Sequence, residues 1–391
     1  MMMSLRDYLN RVKPKFEKGG RFEKLHSTFD AFEAFLYVSN KVTSKGAHIR
    51  DAVDLKRTMS VVIIAMMPAM LFGMWNVGYQ YYLSIGQHVS LLANFWFGFQ
   101  RVLPIIAVSY ISGLTVEFIF AQYRHHEVNE GFLVTGMLIP LIMPVTIPLW
   151  IVAVSTAFAV LFVKEAFGGT GMNVFNPALM TRAFIFFAYP AKITGDLVWT
   201  WASKDSTQVV DSITGATALT YASSDNIAKI PSLYDLFFGF IPGSIGETSK
   251  FAILIGAALL IITGVASFRI MLSTIAGGVV MTLIFNAVGA NSYMTIGPLT
   301  QLMMGGFMFG AVFMATDPVT GSQTPTGKLV YGFLIGLFAI MIRVFNPAYP
   351  EGMMLAILLM NMFAPLIDHV VVRSNIRRRQ KRSLKSSVIT K

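Results

Sequence analysis

A threonine hydroxyl flanked by small residues is open to modification by a bulky group, and the polar string DSITGATALT (211–220) holds such an arrangement. Asp211, Thr214, Gly215, Ala216 and Thr217 fall in the order D-x-x-[S/T]-G-A-T. The hydroxyl of Thr217 can form a phosphoester. Gly215 and Ala216 leave room for an enzyme and its cargo, and Asp211 can help position the hydroxyl or a metal. The plain alternative is a turn, which Gly, Ser and Thr in a polar segment build without further purpose.

Other reactive types lie beside apolar runs. Glu117 stands in SGLTVEFIF, Asp317 in ATDPVTG, and Asp368 closes the last apolar run. Acids in an apolar layer are expensive and usually functional, and their oxygens suit a hard cation such as sodium. Each also has a structural reading, as a hydrogen-bond partner, a helix cap or, for Asp368, a residue at the interface. Arg182 and Arg343 stand near the two FNPA strings, where each can pair with an acid or hold a cofactor phosphate or ring carbonyl. Reaching from a helix end to the interface is the plain alternative. FGGTGMN (167–173), with Gly169 and Asn173, can offer backbone N–H groups to a phosphate or a cofactor ring edge.

The elements that must position these residues are helices in lipid. The chain has 391 residues, 54% hydrophobic and 13% charged. Runs such as FAILIGAALLIITGVASF (251–268) are continuous rather than alternating, which excludes a barrel and predicts an all-α polytopic membrane protein. No short apolar h-region opens the chain, so no cleavable signal is expected. The net charge of +11 reads as basic residues gathered in cytoplasmic segments, not as a nucleic-acid surface. The tail RSNIRRRQKRSLK is a topology anchor that can touch anionic lipid. With no cysteine, disulfides, thiolate metal sites and iron–sulfur clusters are excluded from this chain. The histidines are not placed to ligate a haem between facing helices, so any electron moving through the chain needs an organic cofactor.

Hydropathy predicts about ten spans, at 58–78, 99–121, 131–146, 148–165, 177–190, 251–267, 270–288, 298–315, 328–345 and 352–371. The third and fifth are too short to cross alone, and Pro140 and Pro144 interrupt the third. Lysine and arginine concentrate in 1–57 and 370–391, whereas the 191–250 loop holds only Lys192, Lys204, Lys229 and Lys250. Lys164 is counted with the inside segments. Both termini are therefore expected in the cytoplasm and the 191–250 loop outside. PVT recurs at 144–146 and 318–320, and FNPA at 175–178 and 345–348, in the same order. The reading is a five-span unit used twice in opposite orientations, with broken helices and a site near the midplane. A shared Asn-Pro habit at helix starts is the local alternative. The Gly-Gly pairs at 168–169, 277–278 and 305–306 are expected to permit close helix contact. The expected divisions are an N-terminal extension (1–57), repeat 1 (58–190), the outer loop (191–250), repeat 2 (251–371) and a basic tail (372–391).

The TGAT motif, EVNEGF (127–132), FGGTGMNVFNPAL (167–179) and FMATDPVTGSQTPTGK (313–328), with the basic extension, together resemble the B-type subunits of the sodium-translocating NADH:quinone oxidoreductases over essentially the whole chain. The resemblance implies FMN joined through its phosphate to Thr217 by a flavin transferase acting outside the cytoplasm. It implies a second, non-covalent flavin, riboflavin, held in the membrane domain toward the cytoplasm, and a quinone region near Gly113 and Glu117. It further implies sodium uptake assisted by acids at Glu117, Asp317 and Asp368, partner subunits, and a bacterial inner-membrane location. Within this reading Gly169, Asn173 and Arg182 join the candidates for cofactor contact. No G-x-G-x-x-G follows a strand, so NADH is expected to be oxidised by a partner. The D-type subunit of the related Rnf ferredoxin:NAD+ complexes shares the fold and a covalent flavin, but usually starts close to its first span. An inverted-repeat secondary transporter is the alternative of another class.

Overall fold

A computed structural model describes residues 5–16, 55–124, 131–201, 215–346 and 351–389, with isolated positions between 20 and 46. Asp211 and Thr214 lie outside the described residues, as do 125–130 and 347–350. Among the described residues there are helices and turns and no strand. After a short α1 (Leu5–Val12), the helices are α2 (Leu55–Ser84), α3 (Leu91–Arg124), α4 (Gly131–Leu141), α5 (Leu149–Ala159) and α6 (Pro177–Ala188). Two short helices follow in the loop, α7 (Ala218–Ser223) and α8 (Leu233–Phe238). The second half holds α9 (Lys250–Ile262), α10 (Phe268–Val288), α11 (Pro298–Met303), α12 (Phe307–Phe309), α13 (Pro325–Phe345) and α14 (Met353–Ile389).

Six helices are long and apolar enough to cross a membrane, and three shorter apolar ones accompany them. The protein is thus an all-α polytopic membrane protein. Each of the ten hydropathy segments is found as helix, but four are short or interrupted. At 1.5 Å per residue, α4 spans only about 16 Å, roughly half of a hydrocarbon core. The segment read as one span over 298–315 is broken at Met304–Gly306 into α11 and α12, and α12 then widens into a π-helical turn, Gly310–Met314. A second π turn, Val160–Lys164, prolongs α5. Conversely, α14 runs past the predicted end at 371 and carries the basic tail as helix to Ile389.

Both PVT strings are turns that follow a broken helix and precede a long one. The FNPA strings diverge. Asn176 is the N-cap of α6, accepting from the N–H groups of Ala178 (3.0 Å) and Leu179 (3.3 Å), with Pro177 at the first helical position. Asn346 instead terminates α13. The glycine pairs diverge too. Gly277 lies where α10 crosses α13, against the carbonyl of Phe333, and a methyl there would overlap it. Gly168 and Gly169 take positive φ in a turn (117° and 96°), and Gly305–Gly306 form the break between α11 and α12. Close helix contact therefore explains only the middle pair.

A helix ending inside lipid leaves carbonyls without water, and they must find protein donors. The end of α4 is served by backbone from the far half: Gly246 N–H donates to Leu141 O (2.7 Å) and Ile245 N–H to Met143 O (3.3 Å). Arg182 Nη1 donates to Ile142 O at 2.6 Å. At the other break, Arg343 Nη1 donates to Gln301 O (2.6 Å) and Nη2 to Met304 O (3.3 Å). Each arginine thus places a cation at the negative end of a half-helix.

Candidate functional site

Two part-open cavities, each with polar groups set in a mainly apolar lining, lie at opposite ends of α9, a helix about 20 Å long. The first meets the start of α2 (Thr58, Met59), the start of α4 (Gly131), the end of α9 (Leu260), and the loops bearing Asn173, Asn176 and Asp317. The second meets Arg182, Asp196, Thr217, Glu247, Lys250 and Glu351. Both reach α6, where Pro177 lines the first and Arg182 the second. Five residues of helix separate these two, about 7.5 Å.

In the first cavity, the half-buried carboxylate of Asp317 accepts from Asn176 Nδ2 (3.2 Å), Thr320 Oγ1 (3.0 Å) and the N–H of Val319 (3.0 Å). No lysine or arginine lies within 4 Å of it among the described residues. Lys164 is buried on the same wall, but its ammonium is paired with Glu117 on α3. Counting Lys164 as a loop charge is therefore corrected. The π turn carries it inward, and a buried lysine is stable only beside a carboxylate such as Glu117. Glu117 is correspondingly a paired acid. Arg124 and Glu165 form a neighbouring contact at 3.4 Å.

Asn173 lines this cavity and donates to Phe175 O at 3.0 Å. Gly169 does not line it, and its N–H donates to Lys164 O (3.0 Å) in closing the helix end. Gly113 lies on α3 against the ring of buried Phe132, at the α3–α4 crossing. Asp368 lines neither cavity. Its carboxylate accepts from Ser322 Oγ (2.7 Å), Gln323 N (2.7 Å), Thr324 N (3.0 Å) and Thr324 Oγ1 (2.6 Å), clamping the turn that starts α13.

Thr217 stands on the wall of the second cavity as the N-cap of α7. Its Oγ1 accepts from Thr220 N–H (3.2 Å) and lies 3.1 Å from Thr220 Oγ1. Gly215 packs on the backbone of Asp196, with no room for a side chain. Two residues after Thr217, the side chain of Leu219 reaches Gly305 on the cavity floor. That floor is a charge cluster. Arg182 pairs with Glu351, lies 3.9 Å from Glu247, and donates to Ser244 Oγ at 3.3 Å. Lys250, counted in sequence with the outer loop, is only 2% exposed. It starts α9 and turns its head onto the carbonyls of the preceding turn, which draws it out of the solvent. Thus Arg182 belongs with Thr217, while Asn173 belongs with the opposite cavity. Sequence reasoning did not single out Lys164, Asn176, Glu247, Lys250 or Glu351. The available signal was position: in a chain so poor in charge, each of the four ionisable ones flanks a helix end.

The fold and site together define a polytopic helical membrane protein with buried charges at its broken helices, an arrangement in which intramembrane charge is usually functional. The chain belongs to the family described as NQR2, RnfD, RnfE, which matches residues 42–377. It is 47% identical to the B-type subunit of the Na(+)-translocating NADH-quinone reductase of Chromohalobacter salexigens, over 99% of each chain. Proteins of the same name from Ectopseudomonas mendocina and Azotobacter vinelandii are each 46% identical, over 98% of this chain and all of theirs.

Proposed function

We propose that this chain is the membrane subunit of a sodium-translocating NADH:quinone reductase, with FMN carried on Thr217 in the second cavity and riboflavin in the first. It works with partner subunits that oxidise NADH, in a bacterial inner membrane, with both termini cytoplasmic and the 191–250 loop outside. The observation that carries this reading is the place of Thr217. A hydroxyl in the TGAT motif lines a cavity whose wall holds two buried polar atoms, Thr248 Oγ1 and Asp196 Oδ1, without partners among the described residues. Such atoms fit a ligand rich in hydroxyls and carbonyls. The first cavity suits a flavin without a phosphate: its lysine is already neutralised by Glu117, and its walls combine Asn173, Asn176 and Thr170 with apolar Val62, Leu138 and Phe313.

The flavins, when bound, supply one-electron chemistry between the donor subunit and quinone. The chain's own contribution is to hold two sites on either side of the midplane with a few residues of α6 between them. Its helices exclude water from the path. Asp317, with no cation partner among the described residues, offers oxygen to a sodium ion, and the α3 region near Gly113 and Glu117 is the candidate for quinone contact.

In-gel flavin fluorescence after denaturation tests the reading, with the flavin transferase coexpressed. Wild type and Thr217→Ser, which keeps the hydroxyl and the cap, are expected to fluoresce, and Thr217→Ala is expected to be dark. A dark wild type beside an active transferase would return the chain to the transporter reading.

A further inference from the structure

The head of Lys250 donates to Glu247 O (3.0 Å) and Thr248 O (3.2 Å). No carboxylate oxygen lies within 4 Å of it among the described residues. A buried ammonium whose partners are all neutral is costly and calls for an anion. The neighbours do not provide one. Glu351 and Glu247 face Arg182, and Arg343, 1% exposed, donates from Nη1 and Nη2 to the carbonyls of Gln301, Met304 and Glu351. Asp196 also lines the cavity, and one of its carboxylate oxygens is buried without a partner among the described residues, more than 4 Å from the head of Lys250. In the first cavity, by contrast, the buried lysine is answered, Lys164 by Glu117.

We propose that Lys250 is the counter-ion of the phosphodiester formed at Thr217, so that attachment of the flavin supplies the buried ammonium with its anion. This rests on the reading of Thr217 given above and adds the positioning residue that holds the attached group. Attachment forms one Oγ–P bond and breaks the phosphoanhydride of the flavin donor. The nucleotide leaves, the hydroxyl proton passes to solvent, and the diester keeps one negative charge to face the ammonium of Lys250. Lys250 and Thr217 line the same cavity, and α7 leads from Thr217 to the floor through Leu219.

The test crosses attachment with substitution in the assembled complex. Wild type, Lys250→Met and Lys250→Arg are each made with and without the transferase. Covalent flavin is read first by in-gel fluorescence, and the thermal midpoint of this subunit is read second. Attachment should raise the wild-type midpoint by about 2–4 °C. Lys250→Met should lose that gain, and Lys250→Arg, which keeps the charge, should retain it. A folded Met variant that stays unlabelled while the Arg variant is labelled has the same meaning. Equal gains in wild type and Lys250→Met would overturn the proposal, as would loss of the gain in Lys250→Arg. A wild type without a fluorescent band would remove the Thr217 reading itself, and that failure is visible before any midpoint is compared.

Discussion

Asn176 donates its side-chain amide to the carboxylate of Asp317 at 3.2 Å, joining residues 141 positions apart. The asparagine of the first FNPA string thereby meets the acid beside the second PVT string. The same side chain caps α6 through its oxygen, so one residue fixes a helix start and the wall of the first cavity together.

Replacing Asn176 with Ala should remove both roles. Loss of the cap alone costs about 1–2 kcal/mol, and Asp317 loses one of its donors. The midpoint of thermal unfolding in detergent is expected to fall, and flavin not covalently bound should be released more readily on gel filtration. An unchanged midpoint would show that neither contact contributes to stability.

The Glu117–Lys164 pair predicts a non-additive cycle. Glu117→Gln or Lys164→Met alone leaves an unmatched buried charge and should destabilise by about 3–5 kcal/mol. The double substitution should recover much of that loss. Thermal denaturation of the four proteins measures the coupling, and strictly additive losses would contradict a direct pair.

Asp317 and Asp368 should separate cleanly. Asp317→Asn removes a carboxylate without a cation partner among the described residues; if it takes sodium as proposed, the sodium concentration giving half-maximal quinone reduction is expected to rise severalfold. Asp368→Asn weakens a clamp on the 322–324 turn. It should lower stability by about 1–2 kcal/mol and leave the sodium requirement in place. Sodium titrations beside melting curves decide the matter, and the reverse pattern would exchange the roles assigned to the two acids.

Gly113 makes a steric prediction. A methyl group there overlaps the Phe132 ring, which is fully buried and has nowhere to move. Gly113→Ala should therefore push α3 from α4 and cost about 1–3 kcal/mol, while Phe132→Leu added to it should restore part of the loss. The expected readouts are expression in the membrane and the unfolding midpoint. Failure of the second change to rescue would mean that the glycine is required for something other than space.

The TGAT string singles out Thr217 by its sequence neighbours alone, and the structure adds that this residue caps α7 on the wall of the second cavity. Asp211 and Thr214, outside the described residues, remain as the motif alone defines them. The broken helix α4 was likewise legible, since Pro140 and Pro144 act on their own turn. The break at Met304–Gly306 was marked by its glycine pair but not decided by it, because two glycines in an apolar run fit close helix contact as well as a break. What happens at that point depends on Glu247, against which Gly306 packs, and on the cation of Arg343.

The sequence by itself determined the class of protein and the places of its helices, because run length, apolar content, proline and capping residues act over one or two turns. It determined Thr217 as the residue to question for the same local reason. Only the tertiary structure decided which charges are buried and with whom: Lys164 beside Glu117, Arg182 beside Glu351, Lys250 on carbonyls alone. A charge can be kept out of water only where a partner stands within a few ångströms, and Glu351, the partner of Arg182, lies 169 residues away along the chain. No local pattern specifies such a distance, and the fold supplies it by bringing the two halves of the chain together around α6 and α9.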